Sequence, residues 1–313
     1  MIASQEIHQQ YGGVVPELAS RAHQQHIIPV IDSALKQAGI NKEQLHAVAF
    51  TRGPGLLGSL LVGVSFAKGF AVSLGIPMIE VNHMQAHILA HLIDVNKDGS
   101  KNDCPTFPFM CLTVSGGHTQ IVLVKDAHTF ELIGETNDDA AGEAFDKSAK
   151  ILGLTYPGGP LIDKYSAGGD IKKYKFPKPH VPGYNFSFSG LKTSFLNFIT
   201  KEKNKNENFV SEEMPNICAS IQHTIVSYTV DKFLEAAKEH GVRHLAIAGG
   251  VSANSYLRSY LLEKCKNHQL QAFIPRFEYC TDNAAMIGIV AYHKFLINDF
   301  CGLDVTPLSR YGI

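Results

Sequence analysis

Two histidines, His83 and His87, are spaced four residues apart, directly after a short apolar run. Residues four apart on a helix share one face, so both imidazoles could reach a single metal ion. A zinc-protease helix carries a glutamate after its first histidine, whereas this chain has Met84. The chain contains 15 histidines, so an ordinary pair of surface or core histidines is the alternative interpretation.

Asp282 lies in the segment Cys280-Thr281-Asp282-Asn283, where a last helix is predicted to begin. Its carboxylate is a candidate third metal ligand. The alternative is that Asp282 is the N-cap of that helix, which is a common role for aspartate.

Two glycine-rich turns could bind a nucleotide. Ser115-Gly116-Gly117-His118 joins two β-rich runs, which predicts a hairpin whose tip amides could hold a phosphate, or a plain tight turn. Gly249-Gly250 ends a buried apolar run and leads to Asn254, so a nucleotide could approach the backbone closely. The alternative there is an ordinary strand-to-helix turn capped by Ser252. No G-x-x-x-x-G-K-[ST] sequence occurs, which excludes a P-loop.

Apolar periodicity predicts an α/β chain. Strands at 45–50 and 77–81 flank a helix at 57–74, which predicts a parallel βαβ unit. Other helices are predicted at 16–39, 142–152 and 217–238 and from Ser252 and Asp282, while 156–190 is predicted to be loop-rich and 201–208 an exposed loop. The predicted pattern changes near residue 105, from a βαβ unit to a β-hairpin followed by helices. We therefore expect two lobes with a ligand cleft between them. The first lobe comprises residues 1–104 with 296–313, and the second comprises residues 105–295.

Composition limits the cellular setting. The net charge of -1 gives no global sign of nucleic-acid binding. The six cysteines are scattered without a C-x-x-C pair, which fits free thiols in a reducing cytosol. The N-terminus has no secretory signal, and the longest apolar run, 56–75, is interrupted by Gly, Ser and Lys68. We therefore predict a cytoplasmic protein without a membrane segment.

A local basic stretch is a candidate for RNA contact, and Lys192 in FSFSGLKT is another. Lys172, Lys173, Lys175 and Lys178 alternate with Tyr174 and Phe176. Such a stretch could meet phosphates. A solvated loop is the alternative.

Taken together, these motifs resemble one family, the universal tRNA N6-adenosine threonylcarbamoyltransferase, once labelled O-sialoglycoprotein endopeptidase, in its bacterial branch. The resemblance runs from about Ile2 to the last predicted helix. It rests on YGGVVPELASRAH, GPGLLGSLLVG, NHMQAH, VSGGHTQ, GEAFDKSAK, YPGGP, FSFSGLKT, AGGVSAN and CTDNAAMIG, in that order.

The resemblance implies an actin-like, sugar-kinase-type fold with two lobes, each a mixed sheet flanked by helices. It implies one divalent metal, iron or alternatively zinc, held by His83, His87 and Asp282. It implies that threonylcarbamoyl-AMP is held by Val114, Ser115, Gly116, Gly117, His118, Asp146, Gly159, Asp163 and Asn254. Lys172, Lys173, Lys175 and Lys192 are the candidate RNA contacts. We assign no general base.

The implied reaction transfers threonylcarbamoyl to N6 of the adenosine beside the anticodon, in tRNAs that read codons starting with A. The implied partners are a catalytically inactive paralogue and a small ATPase. The family's opening strand hairpin, with a motif like GIETSCDET, is expected to be missing, which would expose a strand edge and lower stability and activity. Rival interpretations are a small-molecule kinase of the same fold, a metalloprotease and a non-catalytic complex partner.

Overall fold

The structure, a computed structural model, describes residues 14–93 and 103–313. The described helices are α1 (Pro16–Ala38), α2 (Leu57–Leu74), α3 (His83–Leu89), α4 (Ala141–Ile151), α5 (Gly158–Tyr165), α6 (Ser189–Lys203), α7 (Phe209–Glu239), α8 (Ser255–Asn267), α9 (Phe277–Cys280) and α10 (Ala284–Leu296). The described strands are β1 (Val48–Gly53), β2 (Met78–Asn82), β3 (Phe109–Val114), β4 (Thr119–Val124), β5 (Phe130–Glu135), β6 (His244–Ala248) and β7 (Gln271–Phe273). Tyr11–Gly13 of the YGG motif lies outside the described residues.

The chain divides into two compact units, Met1–Ile93 with Asn283–Ile313, and Asp94–Asp282. The sequence placed the later boundary at 295/296 and thus assigned α10 to the second lobe. In the structure α10 packs against α3 and β2, so it belongs to the first unit. An apolar helix can cover either sheet, and periodicity alone does not say which one.

The first unit contains the predicted βαβ arrangement. β1 and β2 pair in parallel and are connected by α2, which confirms the prediction for this segment. The helix ends at Gly75, whose φ of 66° is the left-handed conformation that glycine adopts at little cost. A small core lies between these elements and includes Phe50, Val64, Ala67, Ala71, Met78 and Val305.

One described helix, α2, is long and apolar enough to cross a membrane by length and composition alone. It packs against α1 and β1 within its unit. Core helices of globular domains meet the same criterion, so it does not make α2 a membrane span. Its buried side chains are Val64, Ala67 and Ala71.

The second unit is built on a five-stranded mixed sheet of order β5-β4-β3-β6-β7. β3 and β4 form an antiparallel hairpin, as predicted, whereas β6 pairs in parallel with β3 and β7. Every residue of β3 and β4 is buried, so helices cover both faces of the sheet at its centre. α7, which is 31 residues long, supplies much of this cover. The ends of β3 and β6 lead into the two glycine-rich turns, at 115–118 and 249–254.

Two loop predictions in this unit hold for most of their residues, but each segment also includes a helical part. The segment 156–190 contains α5, and 201–208 contains the last turn of α6. α5 begins with Gly-Gly-Pro, residues that are typical of turns, so its sequence lacks the apolar periodicity that predicts a helix. The polar end of α6 is the solvent side of a helix whose other face is buried through Leu191, Phe195 and Ile199.

Candidate functional site

The histidine pair is held at the start of α3, directly after β2. The Asn82 side chain caps this helix, accepting hydrogen bonds from the amides of Met84 (2.8 Å) and Gln85 (3.2 Å). The Asn82 amide also donates to the carbonyl of Gly312 at 2.8 Å. His83 and His87 lie one turn apart, with ring centroids separated by 4.8 Å and rings nearly perpendicular. The helical spacing predicted from the sequence is therefore present.

Asp282 lies beside this pair. One ligand atom from each of His83, His87 and Asp282 lies within 4.8 Å of the others. Asp282 is the last residue of the second unit, and the peptide bond that follows it leads to Asn283 of the first unit. The α10 N-cap is Asn283, whose side chain accepts from the amide of Met286 at 2.9 Å. The alternative role of Asp282 as the N-cap is thus wrong.

The donor chemistry of this group fits a divalent transition metal. Two imidazole nitrogens and one carboxylate oxygen are the ligands of non-haem iron sites and of catalytic zinc sites that leave positions open. His87 is buried and Asp282 is exposed, so the group is enclosed on one side and accessible on the other. We call these three residues the metal-ligand group.

The hairpin tip between β3 and β4 is closed by its own polar groups. The Ser115 amide donates to the His118 carbonyl (2.8 Å), and the His118 amide donates to Ser115 Oγ (3.0 Å). Gly116 and Gly117 are exposed, and a Cβ on either would meet open space. Their amides lie at a tip that a ligand could approach.

α4 starts directly against this tip. The Gly142 amide donates to the Ser115 carbonyl at 3.2 Å. A Cβ on Gly142 would lie 2.5 Å from that oxygen and 2.9 Å from Gly116 Cα. Only glycine fits at this position without moving the tip.

Asp146 joins α4 to the beginning of α5. Its Oδ1 accepts from the amides of Gly158 (2.8 Å) and Gly159 (3.2 Å), which lack helical partners at a helix start. The predicted residues Asp146 and Gly159 are therefore in direct contact. Among the described residues, none donates a hydrogen bond to Asp146 Oδ2.

Asp163 and Asn254 meet at the start of α8. Both carboxylate oxygens of Asp163 bind Ser255, one to its amide (2.9 Å) and one to its hydroxyl (2.8 Å). The buried Asn254 side chain caps α8 through the Leu257 amide (2.8 Å) and donates to Gln222 at 2.9 Å. Asn254, rather than Ser252, is therefore the N-cap.

The β6 turn passes close to the end of β3. Gly249 has φ 87°, and a Cβ there would lie 2.5 Å from the Val114 carbonyl oxygen. Ser252 is fully buried and holds the turn by donating to the Gly249 carbonyl. The second unit thus brings together the turns that carry the predicted substrate residues. We call residues 114–118, 142–163 and 249–255 the turn cluster.

The lysines predicted to contact RNA differ in their surroundings. Lys173 forms a 2.7 Å ion pair with Glu213, and hydrogen bonds from Lys173 and Asn216 lower the pKa of Glu213 to about 2. Lys172, Lys175 and Lys192 are exposed. Lys173 is therefore already engaged, whereas the other three are available to a ligand.

The two aromatic residues of this stretch face inward. Phe176 is buried and packs on Phe195 at 5.2 Å between ring centroids, and Tyr174 packs on Phe198 at 5.0 Å. Burial, together with the hydrogen bond to Glu213, raises the pKa of Tyr174 to about 12. These rings pack into the hydrophobic core, which leaves the lysines as the candidate RNA contacts of this stretch.

Several residues that hold the site were not found from the sequence. Gln222 links Asn254 to Ser166 from within α7, where nothing distinguishes it from other polar residues of the helix. Arg258 makes three side-chain contacts, one to the β6 turn and two to the segment 275–280. Asn82 did carry a signal, because asparagine directly before a helix is a typical N-cap.

Structural comparison supports the fold. Full-length HypF, solved in a phosphate- and nucleotide-bound form, superposes with a TM-score of 0.59 at 17% identity, covering 86% of this chain and 41% of HypF. HypF from T. kodakarensis gives a TM-score of 0.56 at 14% identity, covering 82% of this chain and 42% of that one. At these identities the likeness concerns the α/β fold with helix-flanked sheets.

Sequence comparison goes further. The family model for tRNA N6-adenosine threonylcarbamoyltransferase matches residues 1–289. The protein of that name from Christiangramia forsetii is 60% identical over 311 residues, which cover 99% of this chain and 90% of the relative. Its counterpart from Porphyromonas gingivalis is 53% identical over 313 residues, which cover 100% and 91%. The chain therefore belongs to the tRNA N6-adenosine threonylcarbamoyltransferase family.

Proposed function

We propose that this chain transfers threonylcarbamoyl from threonylcarbamoyl-AMP to N6 of the adenosine next to the anticodon, in tRNAs that read codons starting with A. Family membership over nearly the whole chain supports the transferase activity on tRNA. The single observation that carries a metal-dependent form of it is the metal-ligand group, whose three ligand atoms lie within 4.8 Å of one another.

One divalent metal would be held by His83, His87 and Asp282. We assign iron, with zinc as the alternative, because both accept two imidazoles and a carboxylate. A metal held by these residues would supply Lewis-acid chemistry, offsetting charge on the donor's oxygens by about several kcal/mol. The half-exposed geometry of the group leaves a side from which a ligand could enter.

The acceptor explains why the donor must be activated. The lone pair of the adenine amine is delocalised into the ring, so the amine is a weak nucleophile. A mixed anhydride with AMP provides a good leaving group. Gly116 and Gly117 would hold its phosphate through their exposed amides, while the Ser115–His118 hydrogen bonds keep the tip in shape.

The remaining predicted residues would form the wall of the adenylate site. Val114 ends the strand that leads into the tip. Asp146 would bind a ribose hydroxyl through Oδ2 while Oδ1 holds the amides of Gly158 and Gly159. Asp163 and Asn254 hold the start of α8 and would orient the adenosine through the turn that they fix.

The tRNA would contact the exposed Lys172, Lys175 and Lys192. Lys173 would contribute less, since an RNA phosphate must compete with Glu213 for its ammonium group. A catalytically inactive paralogue and a small ATPase would complete the working complex, in the cytoplasm. An actin-like, sugar-kinase-type architecture is part of this proposal.

Reconstitution tests the proposal directly. The purified chain is mixed with its complex partners, threonylcarbamoyl-AMP and unmodified tRNA, and the tRNA nucleosides are analysed by mass spectrometry. We expect N6-threonylcarbamoyladenosine with the unaltered chain and with His46→Ala, an exposed histidine of the same unit. We expect at least about 100-fold less with His83→Ala/His87→Ala, the loss of roughly 3 kcal/mol of stabilisation.

Two results would contradict the proposal. Product formation unaffected by the histidine substitutions would remove the metal-dependent mechanism. Absence of the modified nucleoside, together with phosphorylation of a small molecule or cleavage of a peptide, would favour a kinase or protease; no specific observation in the structure favours either.

A further inference from the structure

We propose that Arg258 is the positioning residue for Asp282, because its guanidinium ties the segment 275–280 to the β6 turn. This inference rests on the proposed role of Asp282 as a metal ligand. Arg258 lies in the first turn of α8, four residues after Asn254, and its amide donates to the Asn254 carbonyl. Its backbone is therefore fixed to the turn cluster before its side chain makes any contact.

The guanidinium bridges the turn and the segment that leads to Asp282. Nε donates to the Ser252 carbonyl at 2.7 Å, and Nη2 donates to the Pro275 carbonyl at 2.8 Å. Nη2 also lies 3.1 Å from Cys280 Sγ. Ser252 and Cys280 are fully buried, so both ends of the bridge are enclosed by packed residues.

Phe277 covers the guanidinium from the outside. Its ring centroid lies 3.9 Å from Arg258 Cζ, within cation–π distance. Phe277 as a residue is 68% exposed, an unusual position for phenylalanine that the stacking explains. Only a planar, forked cation can stack on this ring while it donates to acceptors on separate segments, so lysine is not an equivalent residue.

Cys280 lies two residues before Asp282, so the contacts of Cys280 restrict where Asp282 can lie. The Cys280 thiol donates to the Arg276 carbonyl at 3.4 Å, which closes α9 against the guanidinium. Thr281 is extended, and two residues of extended chain reach at most about 7 Å. Asp282 is therefore held from the N-terminal side by the Arg258 bridge.

The other side of Asp282 is held by the Asn283 cap of α10. A carboxylate fixed on both sides loses little freedom when it binds a cation. Without the bridge, 275–281 would gain conformations and the carboxylate would leave the imidazoles more often. Residues that orient metal ligands in this way typically change metal affinity by about 10- to 100-fold.

The test measures Zn²⁺ binding by the full chain in competition with a chromophoric chelator, with the Co²⁺ absorption spectrum as a second readout. We expect Arg258→Ala to weaken Zn²⁺ binding by about 10- to 100-fold. Arg258→Lys should recover less than half of the Zn²⁺ affinity that Arg258→Ala loses, when the affinities are compared as logarithms. Arg243→Ala, which removes an exposed arginine elsewhere in the unit, should bind as the unaltered chain does.

The outcomes separate this inference from the proposed function. If His83→Ala/His87→Ala leaves Zn²⁺ binding unchanged, the metal site itself is wrong. If that variant loses Zn²⁺ while folded Arg258→Ala binds it with unchanged affinity and an unchanged Co²⁺ spectrum, only the role of Arg258 is overturned. Should Arg258→Ala fail to fold, Phe277→Ala decides, because it removes the stacking from a mostly exposed side chain; unchanged affinity and spectrum in that variant overturn the inference.

Discussion

The metal-ligand group and the turn cluster use their side chains in different ways. Around the metal-ligand group, the structural capping is done by sequence neighbours: Asn82 caps α3 and Asn283 caps α10. In the turn cluster the predicted site residues are themselves the structural residues. Asp146 holds the start of α5, and Asn254 caps α8.

This difference shows how function and stability are divided in each region. Where a neighbour makes the cap, the ligand side chain can change without loss of the helix start. Where the site residue makes the hydrogen bonds, its substitution changes the fold and the binding surface together. Substitutions of the metal ligands should therefore alter chemistry alone, and substitutions of the site residues in the turn cluster should alter chemistry and stability together.

The adjacent residues Asp282 and Asn283 give the largest expected effect. We expect Asp282→Asn to weaken Zn²⁺ binding by at least about 100-fold, more than is typical for a residue outside the ligand set. Unfolding should change little, because the α10 cap remains. Asn283→Ala should do the reverse, lowering the free energy of unfolding by about 1 kcal/mol through loss of the cap.

Chelator competition and chemical denaturation on the same samples measure these two quantities. The comparison fails if both variants lose metal affinity and stability in parallel. That result would mean that Asp282 and Asn283 act as one structural unit.

The metal-ligand group could be predicted only in part from the sequence. The i, i+4 spacing of His83 and His87 is a local property of one helix, and the structure has it. The convergence of Asp282 depends on the packing of α10 against α3, across about 200 residues of chain. The sequence offered that convergence through the family resemblance, since spacing carries no information at such a distance.

The elements of the fold that were predicted are likewise those with a clear local pattern in the sequence. β1, α2 and β2 have clear apolar periods, and the structure has them within a few residues of the prediction. The edge strands β5 and β7 were not predicted. β7 is only three residues long, and β5 is largely exposed, so neither has a buried pattern to detect. The burial of Phe176 could not be predicted locally, because its core partners, Phe195 and Phe198, lie on α6, about 20 residues further along the chain.

Gly142 tests the turn cluster with a smaller expected effect. In Gly142→Ala the new Cβ would meet the Ser115 carbonyl oxygen at 2.5 Å, so the hairpin tip must move. Overpacking of this kind costs roughly 1–3 kcal/mol. We expect lower stability and a weaker affinity for AMP, both measured on the isolated chain.

Gly69→Ala is the matched control, because a Cβ at this position of α2 meets open space. It should raise stability slightly, since alanine is the better helix former, by roughly 0.5–1 kcal/mol, and leave AMP binding unchanged. Normal AMP affinity in a destabilised Gly142→Ala chain would show that the tip does not bind the adenylate.

Asp146 gives the smallest effect and the sharpest test of the comparison. Asp146→Ala leaves the amides of Gly158 and Gly159 without their acceptor, which should lower the free energy of unfolding by about 1 kcal/mol and weaken AMP binding at the same time. Asp146→Asn keeps an oxygen acceptor and should remain within a few tenths of a kcal/mol of the unaltered chain. Denaturation and AMP titration measure both quantities.

Asp126→Ala provides the control, since Asp126 accepts from the His128 amide at 2.7 Å in an exposed turn of the same unit, away from the turn cluster. It should cost some stability and leave AMP binding unchanged. If instead Asp146→Ala weakened AMP binding at full stability, Asp146 would behave as the metal-ligand group is expected to behave. Oδ2 alone would then account for the role of this carboxylate, which would be ligand binding. The difference drawn above, between side chains that bind ligands and side chains that hold the backbone, would not apply within the turn cluster.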